Sequence, residues 1–217
     1  MFRRIFEKKF DGSPVPSAYI PRGPRQFRHS GGWATVRKRL QTESGLRIID
    51  IGHTSPGNIN YLTNLGHSIF LADPVADAAS GHFQTGTDDD GKPILDTEGF
   101  LAQCFDFGDR TFDVILLWTA LDYLPEPFVA PLVGRLYGAM NPGGLVLALF
   151  HTKKQGKEAE YSRYHVTEGD DVESQPMQPF PIQRVFTNRS IQQLFTQWSG
   201  FKQFLAKDSV SEVIITR

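Results

Sequence analysis

Two residues, Gly52 and Asp73, stand where they could do chemistry together. Gly52 closes the run Ile48-Ile49-Asp50-Ile51, whose β-branched side chains suit a buried parallel strand. A residue without a Cβ can turn sharply there and let a ligand approach the backbone. Asp73 follows a second short apolar run, Ser68 to Ala72. A carboxylate at the tip of a strand can accept both hydroxyls of a ribose. Further along, Trp118, Thr119 and Tyr123 follow or close the apolar run Phe112 to Trp118, and His151 follows the run Leu145 to Phe150. Both sets fall at the carboxyl ends of expected strands, where open α/β sheets bind ligands.

The elements that must hold these residues follow from spacing. Ser55 is a good N-cap and Pro56 suits a first helical position. Ile59, Leu62 and Leu65 repeat at helical spacing, and Gly66 is a natural stop. Leu46 to Pro74 therefore reads as strand, tight loop, helix, strand, acid. A short helix is expected from Trp33 to Gln41, and the polar stretch Gly81 to Pro93 reads as a loop. Thr97 caps a helix through Cys104. A longer helix runs from Glu126 to Met140 on a stripe of Phe128, Leu132, Val133, Leu136 and Met140. A further helix ends near Trp198. Two strands, Phe201 to Ala206 and Glu212 to Thr216, are joined by a turn too short for anything but antiparallel pairing. Alternation of strand and helix implies a parallel sheet with helices on both faces.

This order, with its motifs, resembles the class I S-adenosylmethionine-dependent methyltransferases over roughly residues 40–217. Ile48-Ile-Asp-Ile-Gly52 resembles the family's first motif, and Asp73 lies where the family places its ribose-binding acid. Phe112-Asp113-Val114-Ile115 resembles its fourth strand, and Leu121-Asp122-Tyr123-Leu124-Pro125-Glu126-Pro127 resembles the segment after it. Met140-Asn141-Pro142-Gly143-Gly144 with Leu145-Val-Leu-Ala resembles the turn into the fifth strand. The resemblance implies a Rossmann-like, doubly wound α/β fold with a mostly parallel seven-stranded sheet and one antiparallel strand near the C-terminus. It implies S-adenosylmethionine as cofactor, methyl transfer to an unidentified acceptor, and a cofactor site of Asp50, Gly52, His53, Thr54, Ser55, Asn58, Asp73, Pro74, Asp106, Phe107 and Trp118. Tyr123, His151 and Tyr164 are the expected substrate contacts. No catalytic dyad or metal-ligand cluster stands out, and in-line methyl transfer needs a base only for some acceptors.

The loop departs from the family. Gly52-His53-Thr54-Ser55-Pro56-Gly57 carries bulk where alternating glycines usually stand. Thr54 and Ser55 can still hydrogen-bond a carboxylate, and the helix start at Pro56 favours an anion. The altered loop leaves a second reading open, a non-catalytic or regulatory binding protein on the same fold. A nicotinamide-dependent dehydrogenase shares strand, glycine, helix, strand and acid, but this chain lacks that fingerprint's second and third glycines.

Composition bounds the rest. The 217 residues fit one α/β domain with room for a cover. Residues 1–32 read as a basic, proline-rich arm and 33–217 as the methyltransferase-like domain, with 152–187 an insert covering the substrate. One cysteine, Cys104, excludes an internal disulfide, and no apolar run is long enough to cross a bilayer. A cytoplasmic protein with a small-molecule substrate and no membrane partner is expected. Residues 1–40 hold ten Lys or Arg against two acids, while the rest of the chain is acidic. Without a dense basic run or interleaved aromatics, the arm is expected to pack on its own acidic domain rather than on nucleic acid, which its charge still leaves open.

Overall fold

The computed structural model describes residues 21–53, 55–153, 159–204 and 209–217. Most of the basic arm and Thr54 lie outside them. In chain order the elements are β1 (Gln26–His29), α1 (Gly31–Thr42), β2 (Arg47–Ile51), α2 (Pro56–Asn64), β3 (Ser68–Ala72), α3 (Pro74–Ala79), β4 (Gln84–Thr87), β5 (Pro93–Leu95), α4 (Thr97–Cys104) and β6 (Phe112–Trp118). There follow α5 (Ala120–Tyr123), α6 (Glu126–Ala139), β7 (Met140–His151), β8 (Ala159–Val166), β9 (Asp171–Phe180), α7 (Asn188–Leu194), β10 (Gly200–Phe204) and β11 (Val210–Thr216).

The central sheet has the order β10-β11-β7-β6-β2-β3. β3, β2, β6 and β7 pair in parallel, and β11 runs antiparallel to both neighbours. This is the expected α/β fold with its reversed strand, but the sheet has six strands where seven were expected. The difference lies after α3. The stretch Gly81 to Pro93 has the glycines and acids of a turn and no run of β-branched residues to bury, so it forms the small β4–β5 hairpin apart from the main sheet. β3 is left as an edge strand.

Side chains alternate across the sheet as strand geometry requires. Ile49, Ile51, Ile115, Leu117, Val146 and Ala148 face one core with Phe100 and Phe128. Ile48, Val114, Leu116, Leu147 and Leu149 face the other, closed by Trp33, Val36 and Leu40 of α1. The proline-rich segment after β7 does more than cover a surface. β8 and β9 form a long antiparallel ribbon, and β1 adds to it in the order β1-β9-β8. Among the described residues no helix is long and apolar enough to cross a membrane.

The described part of the arm, together with α1, is tied to the acidic body by charge. Arg25 pairs with Glu173, Arg37 with Asp170, and Arg28 with Glu212. Glu212 is buried on β11 and also accepts from Ser30 Oγ at 3.0 Å and Gly32 N at 2.8 Å. Its carboxylate thus anchors the start of α1 to the sheet. Removing one partner of a buried pair leaves an uncompensated charge, so Arg28→Met is expected to cost about 3 kcal/mol in urea unfolding. An exposed control such as Lys92→Met should cost less than about 0.5 kcal/mol.

Candidate functional site

Gly52 and Asp73 come together at the carboxyl edge. Gly52 has φ +147°, in the range that favours glycine, and its N–H donates to Ala72 O at 2.7 Å. The ends of β2 and β3 are thereby locked side by side. Asp73 precedes Pro74, the buried first residue of α3. His53 is buried, and its Nδ1 lies 2.5 Å from Asp73 Oδ2. A Cβ on Gly52 would meet the Tyr161 hydroxyl at 3.2 Å and Trp118 Cδ1 at 3.5 Å. The ground above Gly52 is a cradle, and Tyr161 of β8 leans into it.

Below the cradle lies Asp50, fully buried. Its Oδ1 accepts from Trp118 Nε1 at 2.6 Å and its Oδ2 from Asn58 Nδ2 at 3.3 Å. Burial pushes the carboxyl up to about 6, against these two hydrogen bonds. Trp118 has φ +44°, a strained angle for a side chain of that size, and its ring is stacked on Tyr164 at 4.9 Å. Asn58 completes the clasp. It donates to Tyr164 O at 3.0 Å and accepts from Val166 N at 2.8 Å. Ser55 caps α2 through Gly57 N and bonds His165 Nδ1 at 2.7 Å. β8 is therefore bolted to the start of α2 from two sides.

A second acid–imidazole pair stands two strands away. His151 ends β7, and its Nδ1 donates to Asp122 Oδ2 at 2.7 Å, as does its backbone N–H. Asp122 is fully buried, and burial raises its carboxyl while the His151 bonds oppose the rise. Aromatic rings connect the two pairs. His53 lies 5.0 Å from Tyr161, Tyr161 4.9 Å from Tyr123, and Tyr123 5.8 Å from His151. A cavity of about 390 Å³ opens beside this row, bordered by Ala78, Ala79, Tyr123, Phe180 and Gln183. A cavity of similar size, about 380 Å³, lies at the opposite edge of β6 against Gly108, Arg110 and Arg135, away from these groups.

The sequence-derived residues divide accordingly. Gly52, His53, Asp73, Pro74, Trp118, Tyr123 and His151 gather at the carboxyl edge. Asp50, Ser55, Asn58 and Tyr164 lie beneath it or in the clasp. Asp106 is exposed and accepts from Gly108 N at 3.1 Å in a local turn. Phe107 is buried between Phe70 and Phe112 in the core. Thr54 is outside the described residues. Tyr161 belongs to the 152–187 insert expected from the sequence to cover the substrate, whereas Asp122 was passed over. The signal that Asp122 left is an acid inside the largely apolar stretch Thr119 to Leu124. Among the described residues no group of three or more His, Cys, Asp or Glu is placed to hold a metal ion.

A family model described as a methyltransferase domain matches residues 25–203. The chain belongs to the methyltransferase domain family. The resemblance read from Ile48–Gly52 and Met140–Gly144 is thus borne out, and with it the enzyme class and S-adenosylmethionine as the family's methyl donor. None of the curated protein sequences compared with this methyltransferase matches it. Among solved structures it is similar to a SAM-dependent methyltransferase from Methanosarcina mazei, at 13% identity over 83% of this chain and 96% of that one, with a TM-score of 0.49. It is also similar to a 1,6-didemethyltoxoflavin N1-methyltransferase from Burkholderia thailandensis with its substrate and S-adenosylhomocysteine bound, at 13% identity over 86% and 77%, TM-score 0.45. A third is an amino pentose methyltransferase from Micromonospora echinaspora with bound SAM, at 14% over 88% and 92%, TM-score 0.41.

The clasp has a pH signature. Asp50 titrates near 3.8 when unfolded and about 6 when folded, so the unfolded state gives up this proton first as pH rises. Asp50 therefore favours folding most below pH 4, and that contribution is lost as pH rises through 6. Relative to Asp50→Asn, the wild type is expected to lose on the order of 2–3 kcal/mol of unfolding free energy between pH 4 and pH 7. Urea melts of both proteins across that range check it.

Proposed function

We propose that this methyltransferase moves a methyl group from S-adenosylmethionine to a small-molecule acceptor held under the β8–β9 ribbon. The observation that supports this most is the pairing of Gly52 with Asp73 at the tips of two adjacent parallel strands. Gly52 lets a ligand lie against the backbone, and Asp73 offers two acceptor oxygens to a vicinal diol. The start of α2, a helix of nine residues, lies close by and favours an anionic group such as an amino acid carboxylate. These residues fit the cofactor's three parts: Gly52 its methionine portion, Asp73 its ribose, the helix start its carboxylate.

The fit has one condition. His53 and Tyr161 occupy the ground directly over Gly52 and Asp73, so the ligand takes the place of their contacts with the cradle. Once bound, the sulfonium supplies an activated methyl group. The chain's own part is to exclude water with the buried Tyr161, Tyr123 and Phe180, and to align an acceptor from the neighbouring cavity. The size of that cavity and its Ala, Phe, Tyr and Gln border suit a small, flat, largely apolar molecule.

Calorimetric titration with S-adenosylhomocysteine tests the reading. The wild type is expected to bind, and Asp73→Ala to bind at least about tenfold more weakly, because it loses hydrogen bonds to a charged acceptor. Gly52→Val should abolish binding, since a branched side chain enters ligand space at an angle it resists. Tyr161→Ala should bind at least as tightly as the wild type. Absence of binding in both the wild type and Tyr161→Ala would leave a family member that keeps the fold with its crevice closed.

A further inference from the structure

We propose that His151 is the general base of the reaction, that Asp122 positions it, and that the acceptor group is the hydroxyl of a small planar phenol. The inference rests on the methyl-transfer reading and adds the acceptor class and the residue that activates it.

The dyad has the build of a working base. Asp122 Oδ2 takes both the side-chain Nδ1–H and the backbone N–H of His151, each at 2.7 Å. That fixes the ring and places the proton on Nδ1, which leaves the Nε2 lone pair available. Nε2 makes no hydrogen bond among the described residues. About a tenth of the side chain remains exposed, enough for contact with a ligand and too little for free hydration. Asp122 itself is held by more than its partner, since its carbonyl accepts from Gln183 N at 2.8 Å and Arg184 N at 3.2 Å. The segment that borders the cavity is therefore tied to the same residue that orients the imidazole.

Its place on the sheet matches the task. β6 separates β2 from β7, and by register Gly52 stands level with Trp118 and Ala148 while His151 lies three residues further along β7, so the Gly52 turn and His151 stand about 14 Å apart by strand spacing and rise. Tyr161 and Tyr123 lie along that gap, and Tyr123 borders both the cavity and the imidazole. Two further buried oxygens at this edge, Thr119 Oγ1 and Asp122 Oδ1, have no partner among the described residues. A ligand hydroxyl or its bound water would satisfy them.

A neutral phenol is a poor nucleophile near pH 7, because its hydroxyl ionises near 10. In the proposed step Nε2 takes the phenol proton as an oxygen electron pair bonds to the methyl carbon. The carbon–sulfur bond breaks toward sulfur, so a cationic sulfonium becomes a neutral thioether and the positive charge ends on imidazolium. Asp122 stands against that charge. Among the described residues, the ring beside His151 is that of Tyr123, with Tyr161 behind it. Arg184 turns its guanidinium to Glu126, and β11 presents Val210 opposite the imidazole.

The test uses the full chain, methyl-labelled S-adenosylmethionine and a panel of one- and two-ring phenols, with S-adenosylhomocysteine titrated in parallel. The wild-type rate is expected to rise with pH to a plateau, the profile of general-base catalysis. His151→Gln should lose about 100- to 10,000-fold in kcat with KM and S-adenosylhomocysteine affinity within about twofold. Its residual rate should climb steadily toward the phenol's own ionisation, and added imidazole should restore part of it. Asp122→Asn should shift the plateau to lower pH. A merely structural dyad would lower the melting temperature and leave the shape of the pH profile intact, which would overturn the proposal. So would a wild type that binds S-adenosylhomocysteine yet labels no phenol. A wild type that does not bind S-adenosylhomocysteine would instead bring down the methyl-transfer reading and the proposal with it.

Discussion

The buried carboxylate of Asp50 is the constraint on which the rest of this edge depends. A charge with no access to water must be met by donors, and Trp118 and Asn58 are those donors. Each carries a further consequence. To reach Asp50, Trp118 ends β6 at φ +44°, a conformation that costs an ordinary side chain on the order of 1–2 kcal/mol. The indole is held there by its hydrogen bond below and by Tyr164 stacked on it. Asn58 spends its remaining donor and acceptor on the backbone of β8. One acid thus fixes the end of β6, the start of α2 and the ribbon that crosses them.

Because β8 is fixed, Tyr161 is fixed as well, and the whole carboxyl edge takes its character from that. An unadorned sheet of this topology would present an open crevice beside β2, at the reversal of strand order between β2 and β6. Here a row of four rings runs from His53 to His151, with an acid against the imidazole at either end. The two acid–imidazole pairs differ in surroundings. Asp73 retains some contact with solvent at a strand tip, whereas Asp122 has none. The first suits an acceptor of ligand hydroxyls that can exchange partners. The second suits a fixed support for a ring that must keep one orientation. In the proposed function, bringing a methyl donor and an acceptor into line in a dry site is divided between those two ends.

Much of this was legible in the sequence because it rests on short-range rules. The β-branched run before Gly52, the Ser55-Pro56 start of α2 and the alternation along β6 and β7 each follow from local propensity and burial. The strand count was not legible. A polar stretch after α3 could be a loop or a missing strand's replacement, and only the packed sheet shows that β3 has no outer neighbour. The hydrogen bonds of Asp50 and Asn58 were not legible, because Asn58 meets the backbone of β8 more than a hundred residues later in the chain. Tyr161 was legible as part of the covering insert but not as the residue over Gly52, and Asp122 was hidden because a lone acid in an apolar stretch does not name its partner. His53, conspicuous as bulk in a glycine loop, acquires its meaning only beside Asp73.

The central claim is that the Gly52–Asp73 cradle accepts the nucleoside when His53 and Tyr161 give way. A crystal structure of the full chain grown with S-adenosylhomocysteine tests it most directly. The account expects the ribose hydroxyls on Asp73, the sulfur side of the ligand over Gly52, and both His53 and Tyr161 turned from their present contacts. Density for the ligand elsewhere on the protein, with the His53–Asp73 pair and Tyr161 unmoved over Gly52, would contradict it.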